Sequence, residues 1–136
     1  MSWTTVCDLR MKSYTNNTSI DSTDFNNDAT ILGNLTTHPG YVSFHESDDQ
    51  MEIMVKDDSL SRFVGLRLQA LVKPSNFIRR YNIIEGWMSF AFFIESNGQL
   101  AGGIFDGQNW VGLDSGNTTV KANKWARVSF EYDGVS

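Results

Sequence analysis

A chain of 136 residues, 40% hydrophobic and 12% aromatic, is long enough to bury a sizeable core, so a single domain over residues 1–136 is expected. A formal charge of -5 with a pI near 4.8 gives an average surface that repels phosphate backbones and anionic lipid, which argues against nucleic acid and membrane surfaces as partners. The single cysteine, Cys7, excludes an internal disulfide and, by itself, a metal centre of the Cys-rich kind.

Thr, Val, Ile and Phe are common, Ala is sparse and Leu no commoner than Val or Phe, and 11 glycines are scattered among short apolar runs, a balance that predicts an all-β chain. Residues 1–12 carry no apolar stretch of the signal-peptide kind, and the longest apolar run, residues 90–94, is much too short to cross a bilayer. A cytosolic protein and one whose leader has been removed both fit, so the compartment stays open. Four Asn-x-Ser/Thr sequons begin at Asn16, Asn17, Asn34 and Asn117, a pattern that arises by chance in Asn/Thr-rich chains.

The first third, up to about Tyr41, is polar and rich in Asn, Asp, Ser and Thr, which predicts mostly loop with short strands, ordered by packing on the rest. Met51, Ile53 and Val55 then alternate with Glu52 and Lys56 as a half-buried strand does. In residues 64–73, Leu66, Leu68, Ala70 and Val72 share one face and Arg67, Gln69, Leu71 and Lys73 the other, and the strand stops at Pro74, which cannot donate to a ladder. Arg79 and Arg80 fall in the following loop and read as a solvated basic patch.

A looser connection over residues 76–85 leads to residues 88–95, apolar on both faces through Phe90, Phe92, Phe93 and Ile94, as in a central strand. Asn97-Gly98 predicts a tight type I′ hairpin turn, since both central positions of that turn need positive φ. Strands are expected over residues 99–105, 109–113 and 118–120, separated by turns at Asp106-Gly107 and Ser115-Gly116, which makes a meander. Finally Ala126, Val128, Phe130 and Tyr132 alternate with Arg127, Ser129 and Glu131, closing at Asp133-Gly134. The hairpin partner expected after that turn is missing, which predicts an open sheet edge at residues 132–136.

Three segments together, LRLQALVKP at residues 66–74, WMSFAFFIESNGQLAGGIFDGQ at 87–108 and NKWARVSFEYDG at 123–134, resemble the laminin-G-like domains of the concanavalin A-like lectin and glucanase superfamily. The closing segment carries the likeness best, with Trp125, Val128, Tyr132, Asp133 and Gly134 at the family's spacing, whereas Leu71 stands where a tryptophan is usual. The resemblance implies an antiparallel β-sandwich of the jelly-roll type that binds glycans or proteins or serves as an accessory module, and it suggests an extracellular or cell-surface setting. The family pattern continues past Tyr-Asp-Gly with at least one further hairpin. The chain is therefore expected to be an N-terminal portion of such a domain, its missing strands supplied by a second chain or a swapped copy in a homo-oligomer.

The superfamily includes glucanases, so paired carboxylates are the first chemistry to test. The nearest arrangement, Glu46, Asp48 and Glu52, is one residue too long. In an extended strand Glu46 and Glu52 would lie on the order of 20 Å apart, against about 5 to 9 Å for glycosidase pairs. Ser47, Asp48 and Asp49 also read as a turn, and His38 and His45 sit in polar contexts that suggest no catalytic set. A glucanase-like enzyme thus ranks last, and a non-catalytic chain is expected.

For a metal, Asp24, Asn26 and Asp28, with Asp21 nearby, offer alternating oxygen ligands that suit calcium in a structural role. A helix-loop-helix calcium site is refused by Ala29 at its sixth position and Leu35 at its twelfth. An Asx-turn loop whose side chains bond their own backbone is the competing reading. For a ligand, Trp87 and Trp110 lie beside glycine or turn residues, where an aromatic face could stack on a sugar ring, with core packing as the alternative. Trp125 starts the last strand and is assigned to the core; Trp3 is uninformative. The leading functional expectation is a recognition module for carbohydrate or a protein surface, followed by an assembly subunit whose open sheet edge is completed by a second chain.

Overall fold

The computed structural model describes residues 2–134 apart from Ser47 and Arg62, and only the backbone of Ser13. Ser47 of the expected acidic turn and the last two residues of the expected open edge lie outside the described residues. All twelve described elements are strands, every pairing between them is antiparallel, and no helix occurs among the described residues. The chain divides into two compact units, Met1–Phe63 and Val64–Ser136.

In the first unit β1 (Leu9–Thr15), β2 (Thr18–Asp21), β3 (Ala29–Leu32) and β6 (Gln50–Ile53) form a four-stranded sheet in the order β1-β2-β3-β6. β4 (Thr36–His38) and β5 (Tyr41–Ser43) form a separate hairpin. The polar first third is thus richer in strand than its composition predicts. One reason is a turn that composition conceals: Asn16 and Asn17 have φ of 48° and 61° between the paired residues Thr15 and Thr18. Both central residues of a two-residue loop are left-handed, as the type I′ turn requires, and asparagine tolerates that region best after glycine.

The second unit contains β7 (Leu66–Val72), β8 (Tyr81–Gly86), β9 (Phe90–Ile94), β10 (Gln99–Phe105), β11 (Trp110–Thr119) and β12 (Ala126–Tyr132). A meander is present as a four-stranded sheet, β11-β10-β9-β8, but its members differ from those expected: β8 forms at the end of the expected looser connection, residues 118 and 119 belong to β11, and β9 is central, with Ala91, Phe92 and Ile94 buried. β12 pairs in unbroken register with β7, from Ala126 opposite Val72 to Tyr132 opposite Leu66. On the outer face of this pair Arg67 meets Glu131 at 2.8 Å.

Leu68, Val128 and Phe130 of the two-stranded layer and Phe92 and Ile94 of the four-stranded layer, with Val120, make one core. The rings of Phe92 and Phe130 stack 6.1 Å apart across the layers, and a Cβ on Gly102 would lie 2.3 Å from the Phe130 ring, so β12 lies against β10 without a side chain between them. The architecture is sandwich-like, built by the period-two alternation of its strands.

Two turns differ from their expected form. At Asn97-Gly98 only Gly98 has positive φ, 84°, and the Gly98 N–H donates to the Glu95 carbonyl at 2.9 Å. Ser96 and Asn97 therefore take the centre of the turn and Gly98 the left-handed position after it, the geometry of a three-residue hairpin loop. Ser115-Gly116 is no hairpin at all. β11 runs through it, with the register slipping between Gln99 opposite Thr119 and Ala101 opposite Asp114, so the extra residues form a bulge. The last strand does have a partner, β7, and only its other edge is unpaired among the described residues.

Candidate functional site

The sheet order brings the two candidate ligand tryptophans to one end of the second unit. The β8–β9 and β10–β11 connections close the same end of the meander, and the Phe105 N–H donates to the Ser89 carbonyl at 2.9 Å, tying the two hairpins together. Two strand spacings separate those hairpins, about 10 Å. Trp87 is 87% exposed and Trp110 49%, with Met88 also exposed beside them. Trp110 is held from one side by Phe105, ring centroids 5.6 Å apart, so its orientation is fixed while much of its surface stays in water. Packing in a core, the competing reading for both residues, is not what this arrangement offers.

Trp125 differs from its expected core role. It is 49% exposed, with the Lys73 ammonium 6.0 Å from its ring. The reason is parity: Trp125 shares the outer face with Arg127, Ser129 and Glu131, opposite Val128 and Phe130. The two arginines also have specific contacts. Arg80 lies 3.5 Å over the Phe93 ring and donates to the Asn82 side chain at 2.8 Å, and Arg79 lies 5.7 Å from the Tyr81 ring.

In the first unit the calcium candidates take very different roles. Asp21 is 4% exposed and each carboxylate oxygen accepts two hydrogen bonds. One receives the N–H groups of Asp8 at 2.7 Å and Thr23 at 3.0 Å, and the other the Thr23 hydroxyl at 2.7 Å and the Asn27 N–H at 2.8 Å. Burial pushes the Asp21 carboxyl up, but the Thr23 hydroxyl and the three N–H donors together outweigh it and hold the group below the ordinary carboxylate range. Asp28 accepts the Asp21 N–H at 2.8 Å, the Asn26 side chain donates to the Asp24 carbonyl at 3.2 Å, and Lys56 donates to the Asn26 carbonyl.

Asp21 can ligate calcium only by giving up those donors, which leaves Asp24, Asn26 and Asp28 as the side chains on offer. We expect 1 mM calcium to move the thermal midpoint by less than about 2 °C relative to a chelator control. A larger, chelator-reversible shift would show that the three gather around an ion.

No sequence signal marks Asn27, whose N–H donates to Asp21, as a partner of that carboxylate. It is 1% exposed, and its amide donates to the Val6 carbonyl at 2.7 Å and the Ser59 hydroxyl at 3.0 Å, joining three separate segments. The Cys7 thiol donates to the Asn27 carbonyl at 3.4 Å. Burial, and then the carboxylates of Asp21, Asp8 and Asp28, push this thiol up to about 12, so it is a poor nucleophile at neutral pH.

Glu46, Asp48 and Asp49 have carboxylate oxygens within 4.8 Å of one another. Asp49 is already committed: it accepts the N–H groups of Asn34, His45 and Glu46 at 2.6, 2.7 and 2.9 Å, which hold it below the usual carboxylate range. His45 bonds Thr36 at 2.8 Å and His38 bonds Ser43 at 3.2 Å, stacked on Tyr41. No family model matches the chain, nor does any of the curated proteins or solved structures compared with it.

Proposed function

We propose that this chain is a non-catalytic recognition module that takes a sugar ring, or an apolar side chain of a protein, on the aromatic end formed by Trp87 and Trp110. The observation that carries the reading is the pairing of these two exposed indoles on hairpins tied by a main-chain hydrogen bond. A flat apolar face with a polar N–H handle suits a pyranose, whose C–H face stacks on the ring while its hydroxyls stay hydrated. The resemblance of the closing segment to laminin-G-like domains points the same way.

The non-catalytic part of the proposal is supported by how the titratable groups are spent. Asp21 and Asp49 saturate backbone donors, both histidines bond hydroxyls, and the thiol stays protonated. A glycan array, run with calcium and with chelator, tests the ligand class. On any hit, Trp87→Ala and Trp110→Ala are each expected to weaken binding about tenfold or more, whereas Trp125→Ala changes it little. Equal losses from all three, or from none, would overturn the assignment to this end of the sheet.

A further inference from the structure

Among the described residues the four-stranded layer of the second unit faces two strands, β7 and β12, and the shortfall lies on one side. Gly102 of β10 faces Phe130, so its cross-strand partner Leu113, and Val111 opposite Ile104, point toward the same inner face. Yet Leu113 is 67% exposed and Val111 57%. On the opposite margin of the sheet Ile83 and Ile84 of β8 are half-buried.

Beneath the bare margin runs a groove of about 90 Å³, lined by Phe92, Gly102, Leu113 and Ser115 on one side and Ser129 and Phe130 of β12 on the other. Ser129, between the inward-facing Val128 and Phe130 of β12, lines the groove together with Phe130. The main-chain groups of β12 that do not bond β7 are turned toward it.

We infer that this slot accepts a single extended peptide strand from a protein partner, added beside β12 beneath β11. A strand about 4.8 Å from β12 would lie over β11, and its inward side chains would cover Val111 and Leu113.

Charge specifies the occupant further. On the outer face Glu131 is paired with Arg67, whereas Arg127, opposite Leu71, has no carboxylate partner among the described residues. The strand that fits alternates apolar residues inward with polar residues outward and carries a carboxylate beside Arg127. This surface is separate from the tryptophan end, and neither assignment depends on the other.

The test uses the full chain labelled with nitrogen-15 and a capped heptapeptide that alternates valine with threonine and has a central glutamate. Saturable shifts are expected in the amides of residues 126–132 and around Val111 and Leu113. The same peptide with proline in place of threonine should bind at least threefold more weakly, because proline removes donors from the ladder. Arg127→Glu should weaken the glutamate peptide about threefold and favour a lysine-centred one by a similar factor.

The inference is overturned if no saturable shift of residues 126–132 occurs up to about 1 mM peptide, an affinity any useful strand addition should reach. It is also overturned if the proline peptide binds equally well, or if the charge exchange has no effect. Slow amide exchange along β12 before peptide is added, with or without a dimer by light scattering, would show that a second copy or another segment of the chain holds the edge.

Discussion

Gly102→Ala is expected to destabilise the second unit by about 1–3 kcal/mol, a large effect for one added methyl. The Cβ would stand 2.3 Å from the ring of Phe130, and the next two contacts, at 2.7 and 2.8 Å, belong to the same ring. That ring is buried and stacked on Phe92, so it cannot swing aside without disturbing the core. Urea unfolding followed by tryptophan emission reports mainly on this unit, since three of the four tryptophans, Trp87, Trp110 and Trp125, lie within it. Phe130→Leu should partly relieve the clash, with a coupling above about 0.5 kcal/mol between the two changes. Strict additivity would mean that the layers are not in contact at Gly102.

The second large effect belongs to the first unit. Asp21→Asn keeps the shape of the side chain but removes the charge and puts an amide where two donors point, so two of its four hydrogen bonds are lost and a donor faces donors. We expect a loss of about 2–4 kcal/mol, against less than about 0.5 kcal/mol for the exposed Asp24→Asn. Hydrogen exchange of the Asp8, Thr23 and Asn27 amides gives the local readout.

The pH dependence follows from the same geometry. The folded Asp21 carboxyl is held below the ordinary value of 3.8, so its stabilisation is fully present above that value and is lost as pH falls through the lower folded one. Protection of those three amides should therefore be flat from neutral pH down to about 4 and fall below it. Fading of protection already at pH 6 would contradict the assignment.

The second unit was far more legible in the sequence than the first. Period-two alternation identifies residues 66–72 and the strand ending at Tyr132, because half-buried strands sort apolar and polar side chains by parity. The same rule, applied one residue further, would have placed Trp125 outside. Turn dipeptides were a weaker guide. Asn97-Gly98 marks a hairpin but not its type, while Asn16-Asn17 forms the tight turn unannounced by any apolar pattern beside it.

The polar order of the first unit is invisible to such rules. It depends on Asn27 reaching Val6 and Ser59, partners 21 and 32 positions away. Trp87 and Trp110 could be singled out by their neighbours, but their common end of the sheet emerges only once the meander's order is known.

The pairing of β7 with β12 has a kinetic consequence. Val72 and Ala126 face each other across 54 positions of chain, and the whole meander is threaded between them. Each meander hairpin closes a loop of a few residues, whereas the β7–β12 ladder must close one about tenfold longer, at an entropic cost that grows with the logarithm of length. We expect the meander to assemble first and the two-stranded layer to zip onto it afterwards, so the slow step of refolding is the docking of Phe130 over Gly102. On a ribosome the meander's inner face would stay bare until residues 126–132 had emerged.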